Sequence, residues 1–531
     1  MKITTYRRHA GLISLSLVTV FATGPAFAAS NWPSAGADLN NSRYQAGASD
    51  LSSKTVGTLR KKWEFKTVGD VTATPTIDES YLYFPDSAGY LYKVNRFTGA
   101  LVWQRKISDY TGIAGDFARA SPAIAGSALI IGNQSGKLQN PLQPQPAQVF
   151  AVDKVSGNLL WHTQLDQTQY SFVTHSAIVD RGIAYFGLAS NEELVAGFVP
   201  KASWQFKFRG NVVAIDAVTG VIKWKTFMVP DGYAGGAIWG STGAIDRVRN
   251  QLYMSTGNNY AVPQGVSDCL NAGGTPSSCM SPENHFDSIV AMDLTTGAIK
   301  WTGRGLPYDA WNVGCGLNIP GVFTVQPNDN CPAPKGPDWD FAQGPMLLPG
   351  NGDSGSVLVG AGQKSGKFWA FNAVTGALAW VTQVAPGGLT GGLQWGSATD
   401  GSRIFVAVAN SGLTGAGTTP ETWTLANGST TTAGGWASLS AKSGAVLWTT
   451  KDPAGSRAEG AVSATSDIVF GCNLSTLGTM YAIEAKTGAV LWSYDSGGAC
   501  SAGPSISDGM VYWGSGTFSG YGPHKVFGFG L

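Results

Sequence analysis

The sequence has 531 residues, of which only 13% are charged, while 71 are glycine and 18 are tryptophan. Average chains carry about 25% charged residues and about 7% glycine, so charge is scarce here and glycine is abundant. The formal net charge of +1 excludes the basic footprint that nucleic-acid binding requires. The hydrophobic content of 43% supplies a large core and excludes an intrinsically disordered chain.

The N-terminus has the three parts of a secretory signal peptide. Arg7 and Arg8 precede an apolar run over residues 12–21, and residues 26–28 form the small-x-small pattern of a cleavage site. We therefore expect cleavage after residue 28, a mature chain of residues 29–531, and a periplasmic location. The apolar run is too short to span a bilayer and no other stretch approaches the necessary length, so no membrane span is predicted.

Six cysteines follow in this exported context, where disulfides persist. Their order along the chain suggests three short-loop pairs, Cys269–Cys279, Cys315–Cys331 and Cys472–Cys500. Because six cysteines allow fifteen connectivities, the sequence alone leaves the pairing open. No Cys-x-x-Cys-His motif occurs, so a covalently attached c-type haem is not expected.

One repeated phrase organises the chain: an apolar strand, a turn that ends in glycine, and a second strand that ends in tryptophan. The phrase occurs first over residues 91–103 and then returns along the chain. The glycine supplies the positive φ of a tight hairpin turn, and the alternation of apolar residues on both sides indicates strands. The turn glycines are Gly99, Gly157, Gly220, Gly297, Gly376, Gly444 and Gly488.

The two ends of the chain carry the halves of an eighth copy. Residues 526–531 match the strand before the turn, and residues 59–65 match the strand after it. Pairing of these strands in one sheet closes a ring and removes exposed edges. With four strands per unit, this predicts an all-β fold, a single eight-bladed β-propeller closed by its N- and C-terminal strands. The tryptophans predicted to lock neighbouring blades are Trp63, Trp103, Trp161, Trp224, Trp301, Trp380, Trp448 and Trp492.

This repeat resembles that of the quinoprotein alcohol dehydrogenase superfamily over essentially the whole mature chain. The resemblance implies a pyrroloquinoline quinone (PQQ) cofactor and a Ca²⁺ ion on the propeller axis. A non-enzymatic relative, the lipoprotein scaffold of the outer-membrane assembly machine, shares the repeat. The repeat therefore does not decide the function, and residues outside it must.

The sharpest match outside the repeat is the segment 336–342, Gly-Pro-Asp-Trp-Asp-Phe-Ala. In the family, Trp-Asp-aromatic presents the catalytic base and a cation about two strands later contacts the quinone oxygens, which implies these roles for Asp340 and Lys364. Ala342 stands where lanthanide-using relatives have another Asp, which favours Ca²⁺. A second candidate for the base, Asp309, ranks lower because Asn312 stands where the motif requires Asp.

Two further segments resemble suppliers of Ca²⁺ ligands. The segment that follows Gly187 offers Glu192, with Glu193 as the alternative. The Thr-Gly-Asn turn at residues 256–258 offers Asn258, and Asp340 would complete the set. Hard oxygen ligands of this kind suit Ca²⁺ rather than a soft metal.

The remaining matches concern the cofactor. Trp239 corresponds to the tryptophan that lies flat beneath the quinone, and Thr174 corresponds to a hydroxyl donor to a PQQ carboxylate. Gln394 and Trp395 fall where the family has an Asn-Trp pair that contacts PQQ. PQQ is a tricarboxylate that needs cationic partners, and Arg119 offers one in an otherwise uncharged stretch.

Two departures point to one branch of the family. Ala120-Ser121 replaces the adjacent cysteines that cover the quinone in methanol and ethanol dehydrogenases, and no fused cytochrome domain is expected. Both features resemble the polyvinyl alcohol dehydrogenase branch, which implies oxidation of secondary or polymeric alcohols to ketones or aldehydes by hydride transfer to PQQ. A separate cytochrome c would accept the electrons. The alternatives are a PQQ dehydrogenase for sugars or small alcohols, and a non-enzymatic propeller scaffold.

Overall fold

The computed structural model of the protein describes residues 1–2, 31–134, 145–319, 323–348, 357–412, 419–517 and 522–531. The predicted signal peptide lies outside these residues, apart from the first two. The described residues form eight four-stranded antiparallel sheets, which are the blades of a β-propeller, as the sequence predicts.

Blades 1 to 7 follow one another along the chain, each with its four strands in sequence order. The strands of blades 1 to 4 are Thr76–Ile77, Tyr81–Pro85, Tyr90–Asn95 and Leu101–Lys106; Ala123–Ala125, Ala128–Gly132, Gln148–Asp153 and Leu159–Gln164; Ile178–Asp180, Ile183–Gly187, Asn211–Asp216 and Ile222–Phe227; and Ala244–Asp246, Gln251–Ser255, Ser288–Asp293 and Ile299–Arg304. The strands of blades 5 to 7 are Met346–Leu348, Leu358–Gly362, Lys367–Asn372 and Leu378–Gln383; Ala398–Thr399, Arg403–Val408, Gly435–Ser440 and Val446–Lys451; and Ser463–Ala464, Ile468–Cys472, Thr479–Glu484 and Val490–Asp495.

Blade 8 joins the two ends of the chain. Its strands Ser505–Ser507, Met510–Ser515 and Lys525–Gly530 come from the C-terminus, and the outermost strand, Arg60–Lys66, comes from the N-terminal part. Arg60–Lys66 pairs antiparallel with Lys525–Gly530. The predicted closure of the ring is therefore confirmed, and it leaves no end blade with an unpartnered face.

Short elements fill the connections between the blades. Two-stranded ribbons are formed by Ser171–Phe172 with Ala189–Ser190, Ala234–Gly235 with Asn259–Ala261, Leu317–Ile319 with Phe323–Val325, and Trp423–Thr424 with Thr430–Thr431. The α-helices are Ser108–Thr111, Glu192–Val195, Gln264–Asn271 and Pro276–Cys279, and 3₁₀ turns occur at Val56–Thr58, Lys201–Ser203 and Val313–Cys315. None of the helices in the described part of the chain is long and apolar enough to cross a membrane.

The repeated phrase forms the third and fourth strands of blades 1 to 7, and its turn docks on the neighbouring blade. Gly99 has a φ of +72°, and a Cβ at this position would lie 2.8 Å from the indole of Trp63. The Trp63 indole nitrogen donates to the carbonyl of Arg96 at 2.9 Å. The same contact between a turn glycine and a tryptophan recurs at the other turns of the repeat. The packing role predicted for these tryptophans is confirmed, because each turn must approach an indole more closely than a side chain allows.

The three disulfides pair as the order of the cysteines suggests. The bonds are Cys269–Cys279, Cys315–Cys331 and Cys472–Cys500, and no cysteine of the described residues is free. The first two staple the long connections that follow the second strand and the last strand of blade 4.

Candidate cofactor and active site

The predicted site residues come from the connections of the blades and not from the repeat. In blade 4, Trp239 precedes the first strand and Asn258 follows the second. In blade 5, Asp340 precedes the first strand and Lys364 follows the second. Because these two strands are antiparallel in each blade, residues before the first and after the second lie at the same end.

The centre of the site is an ion-paired lysine. The Lys364 Nζ donates to Asp338 Oδ1 at 2.9 Å and to Asp340 Oδ2 at 3.0 Å. The Trp239 Nε1 donates to the same Asp340 oxygen at 3.0 Å, and the Lys364 ammonium lies 5.2 Å from the centroid of the Trp239 ring. Trp239, which lies 101 residues before Asp340 along the chain, is thus in contact with the Asp340–Lys364 ion pair.

The charge state of Lys364 follows from its two partners. Burial acts to lower the pKa of Lys364, but the carboxylates of Asp338 and Asp340 outweigh it and raise the pKa well above its ordinary value. The lysine is therefore cationic at any pH at which the protein functions. No role was predicted for Asp338 from the sequence, although an acid in a loop rich in glycine and proline is a signal in a chain with so little charge.

The Thr-Gly-Asn turn holds Asp340 through its backbone. The Asn258 N–H donates to Asp340 Oδ1 at 2.6 Å, and the Asn258 Nδ2 donates to the carbonyl of Trp311 at 3.0 Å. A Cβ at Gly257 would lie 2.7 Å from the same Asp340 oxygen. Glycine is therefore required at position 257 because the carboxylate lies directly against the backbone.

The two neighbouring glutamates have different surroundings. The Glu192 Oε2 accepts the N–H groups of Lys207 and Phe208, both at 2.9 Å, and burial raises the pKa of Glu192 to about 7. Burial and the negative charge of Asp340 raise the pKa of Glu193 to about 8. The structure thus brings Glu193 to the carboxylates around Lys364, whereas Glu192 is tied to the loop at residues 207–208.

Asp309 holds the loop that carries Asp340. Its carboxylate accepts the N–H of Asp338 at 3.1 Å and the N–H of Trp339 at 2.7 Å. Burial raises the pKa of Asp309 to about 6. These contacts give Asp309 a positioning role, since its hydrogen bonds go to the backbone of the loop.

Beside this cluster lies a small cavity of about 50 Å³ that suits an acid group. Arg43, Arg119, Thr174 and Trp395 are among the residues that line it. Burial lowers the pKa of Arg119 to about 10 and that of Arg43 to about 9, so both side chains stay charged at neutral pH. The Thr174 Oγ1 is buried and has no hydrogen-bond partner among the described residues. A buried cation, a half-buried cation and an unpaired hydroxyl are the chemistry that binds a carboxylate.

Arg119 and Thr174, the two residues predicted to bind a PQQ carboxylate, line this one cavity together with Arg43, which was not predicted from the sequence. Arg43 is fully buried and has a φ of +49°, a backbone conformation that is uncommon for a residue other than glycine. Its guanidinium donates to the carbonyls of Ala35 and Val462 and to Thr74 Oγ1. The sequence holds no pattern that marks this arginine, because its partners are distant backbone groups.

The Gln394-Trp395 pair divides between two roles. The Trp395 ring lies 5.3 Å from the Trp239 ring at an interplanar angle of 71°, and the Arg119 guanidinium lies 4.9 Å from the Trp395 centroid. The Trp395 Nε1 donates to Glu459 at 3.1 Å. The Gln394 Nε2 donates to the carbonyl of Gly391 at 3.0 Å, within its own loop. Trp395 therefore joins the site, and the Gln394 side chain braces the loop.

The donor groups fit a planar polycarboxylate and, in part, a hard cation. The indoles of Trp239 and Trp395 supply aromatic surface, and the arginine-lined cavity supplies an anion site beside it. Glu193 and Asp340 offer carboxylate oxygens of the kind that Ca²⁺ binds. No three His, Cys, Asp or Glu side chains converge as a metal cluster among the residues that the structure describes.

Comparison with known proteins reveals two kinds of relative. A family profile described as outer membrane protein assembly factor BamB matches residues 57–170 and 433–521. The polyvinylalcohol dehydrogenase of Sphingopyxis sp. (strain 113P3) is 28% identical over 400 residues, which cover 72% of this chain and 55% of the relative. The quinohemoprotein alcohol dehydrogenase of Comamonas testosteroni is 24% identical over 316 residues, which cover 53% of this chain and 40% of the relative. The chain thus spans about half the length of the curated relatives it matches.

Solved structures share the fold. The crystal structure of the Comamonas testosteroni quinohemoprotein alcohol dehydrogenase superposes with a TM-score of 0.67 at 18% identity, covering 94% of this chain and 80% of that one. BamB from Moraxella catarrhalis superposes less well, with a TM-score of 0.51 at 13% identity, covering 89% of this chain and all of that one (100%). The chain thus shares its fold with these structures, and its sequence is similar to those of polyvinylalcohol dehydrogenases and quinohemoprotein alcohol dehydrogenases.

Proposed function

We propose that the protein is a periplasmic dehydrogenase that uses PQQ and Ca²⁺ to oxidise secondary alcohols, including those of a polymer such as polyvinyl alcohol. The observation that carries the proposal is the contact of Asp340 with both Lys364 and Trp239. A carboxyl group, a fixed cation and an aromatic surface are the groups that the removal of a proton and a hydride from an alcohol requires.

Each of these residues has a distinct part in the reaction. Asp340 accepts the proton of the substrate hydroxyl, and the N–H groups of Asn258 and Trp239 fix its carboxylate in one orientation. Lys364 places a positive charge beside the reacting groups and stabilises the negative charge that develops there. Trp239 orients the cofactor plane. When bound, PQQ supplies the electrophilic carbon that receives the hydride, and Ca²⁺ supplies Lewis acidity.

The residues proposed to hold the two groups follow from the geometry of the site. Arg119, Thr174 and Arg43 would bind an acid group of PQQ, because they line one anion-binding cavity. Glu193 and Asp340 would ligate Ca²⁺ together with Asn258. Glu193 replaces Glu192 in this proposal because both Glu192 hydrogen bonds at the 207–208 loop would have to break for Glu192 to reach the cluster.

A non-enzymatic scaffold is the second candidate, and the BamB profile match is the observation that favours it. The match covers strands of blades 1, 2, 6, 7 and 8 and ends in the connection between blades 2 and 3. It does not include Trp239, Asn258, Asp340 or Lys364. A scaffold has no need of a buried Lys364 with two carboxylate partners. The site therefore favours the enzyme.

The proposal is tested by reconstituting the apoprotein and following alcohol-dependent reduction of a dye. We expect activity with polyvinyl alcohol and with 2,4-pentanediol only when PQQ and Ca²⁺ are both present, and no response to NAD⁺. A separate cytochrome c is the proposed natural acceptor, so oxygen alone should not sustain turnover. Oxidation of glucose but not of secondary alcohols would favour a sugar dehydrogenase, and folded protein without activity on any alcohol or sugar would favour a scaffold.

A further inference from the structure

A groove of about 760 Å³ is lined in part by the loops that carry Asp340 and Lys364. This volume falls within the range of about 300–1,000 Å³ typical of ligand sites. Its walls include three tryptophans, Trp311, Trp339 and Trp423. We name it the tryptophan groove.

The tryptophan groove is continuous with the backbone of the active-site residues. Trp339, in its wall, stands between Asp338 and Asp340. Gly387 and Gly388 also line the groove, and the Gly388 N–H donates to the carbonyl of Lys364 at 3.0 Å. A Cβ at Gly387 would lie 2.8 Å from the backbone of Ser365. The groove therefore begins where Asp340 and Lys364 are held.

The chemistry of the lining is aromatic and neutral. Trp423 is anchored by a hydrogen bond from its Nε1 to the carbonyl of Val384 at 2.9 Å, which fixes the indole. The exposed side chains of Thr422 and Thr424 contribute hydroxyl groups to the lining, which also includes the buried Ser365. The charged residues of the lining are one cation, Lys335, and one anion, Glu421, so the lining carries no net charge.

We propose that the tryptophan groove binds the units of a neutral polyhydroxylated aliphatic chain that flank the alcohol being oxidised. The methylene groups of such a chain pack on the half-buried Trp339 indole and on the neighbouring prolines Pro337 and Pro386 of the lining. Its hydroxyls exchange hydrogen bonds with the exposed side chains of Thr422 and Thr424. A charged polymer gains nothing from a lining without net charge. This inference rests on the proposed function, since it assigns the binding of the polymer to that same site.

The first test measures binding without catalysis. Apoprotein is run by affinity electrophoresis through gels that contain polyvinyl alcohol, dextran or polyacrylate. We expect retardation by polyvinyl alcohol and not by the other two polymers. Because no PQQ is present, this result does not depend on the proposed oxidation. Retardation by dextran alone, or by none of the polymers, would overturn the assignment.

The second test blocks the groove without touching the catalytic residues. In the Thr422→Arg/Thr424→Arg variant, two exposed side chains of the lining are replaced by bulky ones. Ser443→Arg is the matched control, because Ser443 is exposed on the same blade outside the groove lining. Thermal unfolding of both variants shows whether either change disturbs the fold.

The groove variant should lose retardation by polyvinyl alcohol, and the KM for the polymer should rise by about tenfold or more, which corresponds to about 1.4 kcal/mol. Activity with 2,4-pentanediol, which is too short to occupy the groove, should stay within about twofold, and Ser443→Arg should match the wild type. Equal losses with the polymer and the diol would contradict a role in binding the flanking units. If the wild type is retarded by the polymer but oxidises no alcohol, the result supports polymer binding in the tryptophan groove and contradicts the proposed function.

Discussion

Asp340→Asn should lower the turnover of the reconstituted enzyme by about 10²–10⁴-fold while PQQ stays bound. An amide cannot accept the hydroxyl proton. Three donors, the Asn258 N–H, the Trp239 Nε1–H and the Lys364 ammonium, converge on the two oxygens of Asp340. Asn offers one oxygen and one NH₂ group to the same donors, so its orientation is also less well fixed.

Asp309→Asn is the control for this substitution, because Asp309 is buried beside the same loop and accepts the backbone N–H groups of Asp338 and Trp339. It should reduce turnover much less than Asp340→Asn and should slow the reaction by displacing the loop. The measurements are the turnover number with dye and the PQQ titration of each variant. A variant with Asn at 340 that keeps its rate within tenfold of wild type, beside an inactive Asp309→Asn, would show that the base is Asp309.

Lys364→Met should have the largest effect on stability. The substitution leaves Asp338 and Asp340 buried without their cation, and removal of one partner from a buried ion pair costs about 3–5 kcal/mol. Turnover should fall by about 10²–10³-fold as well, since a preorganised charge at the reacting groups is lost. Urea unfolding and the dye assay measure the two effects separately.

The pH dependence of this variant distinguishes the unpaired carboxylates from a simple packing defect. Burial raises the pKa of Asp338 above its ordinary value and the Lys364 charge opposes this, so without Lys364 the pKa of Asp338 in the folded state should rise further above the value of about 3.9 for Asp in an unfolded chain. A raised carboxyl pKa costs stability as the pH rises above the unfolded value, so the loss should be small near pH 4 and larger near pH 8. Lys442→Met, at an exposed site, is the control and should show no such trend. A loss that is the same at both pH values would indicate packing alone.

The fold could be predicted from the sequence because each copy of the repeat is a short segment that specifies two paired strands and the turn between them. The turn glycines and the tryptophans recur at fixed spacing, and each supplies both a hairpin and a contact with the next blade, as Gly99 and Trp63 show. The closure by the chain ends followed from the two half-copies of the same phrase. The disulfide pairing could be suggested but not decided, since bridge formation depends on the distance between loops and not on their order.

Site residues could be predicted from the sequence where they lie in a recognisable motif. Residues whose surroundings are formed by segments distant along the chain could not. Asp340, Lys364 and Trp239 each lie in a short motif, and the structure places them in contact. Glu192 and Glu193 are the first two residues of the four-residue helix Glu192–Val195. Which of the two side chains faces the site depends on the orientation of this helix, and that orientation cannot be read from residue spacing in the sequence. Arg43 lies in no motif at all, because tertiary contacts with Ala35, Thr74 and Val462 create its environment.

A stoichiometric titration of PQQ into the apoprotein in the presence of Ca²⁺ tests the central claim most directly. The quinone absorbance reports binding, and the rate of dye reduction with 2,4-pentanediol is measured on the same samples. We expect saturation at one PQQ per chain, with activity rising in proportion to the PQQ bound. The Asp340→Asn variant should saturate at the same ratio and turn over about 10²–10⁴-fold more slowly. Folded protein that binds no PQQ, or that binds PQQ and oxidises no alcohol, would contradict the account.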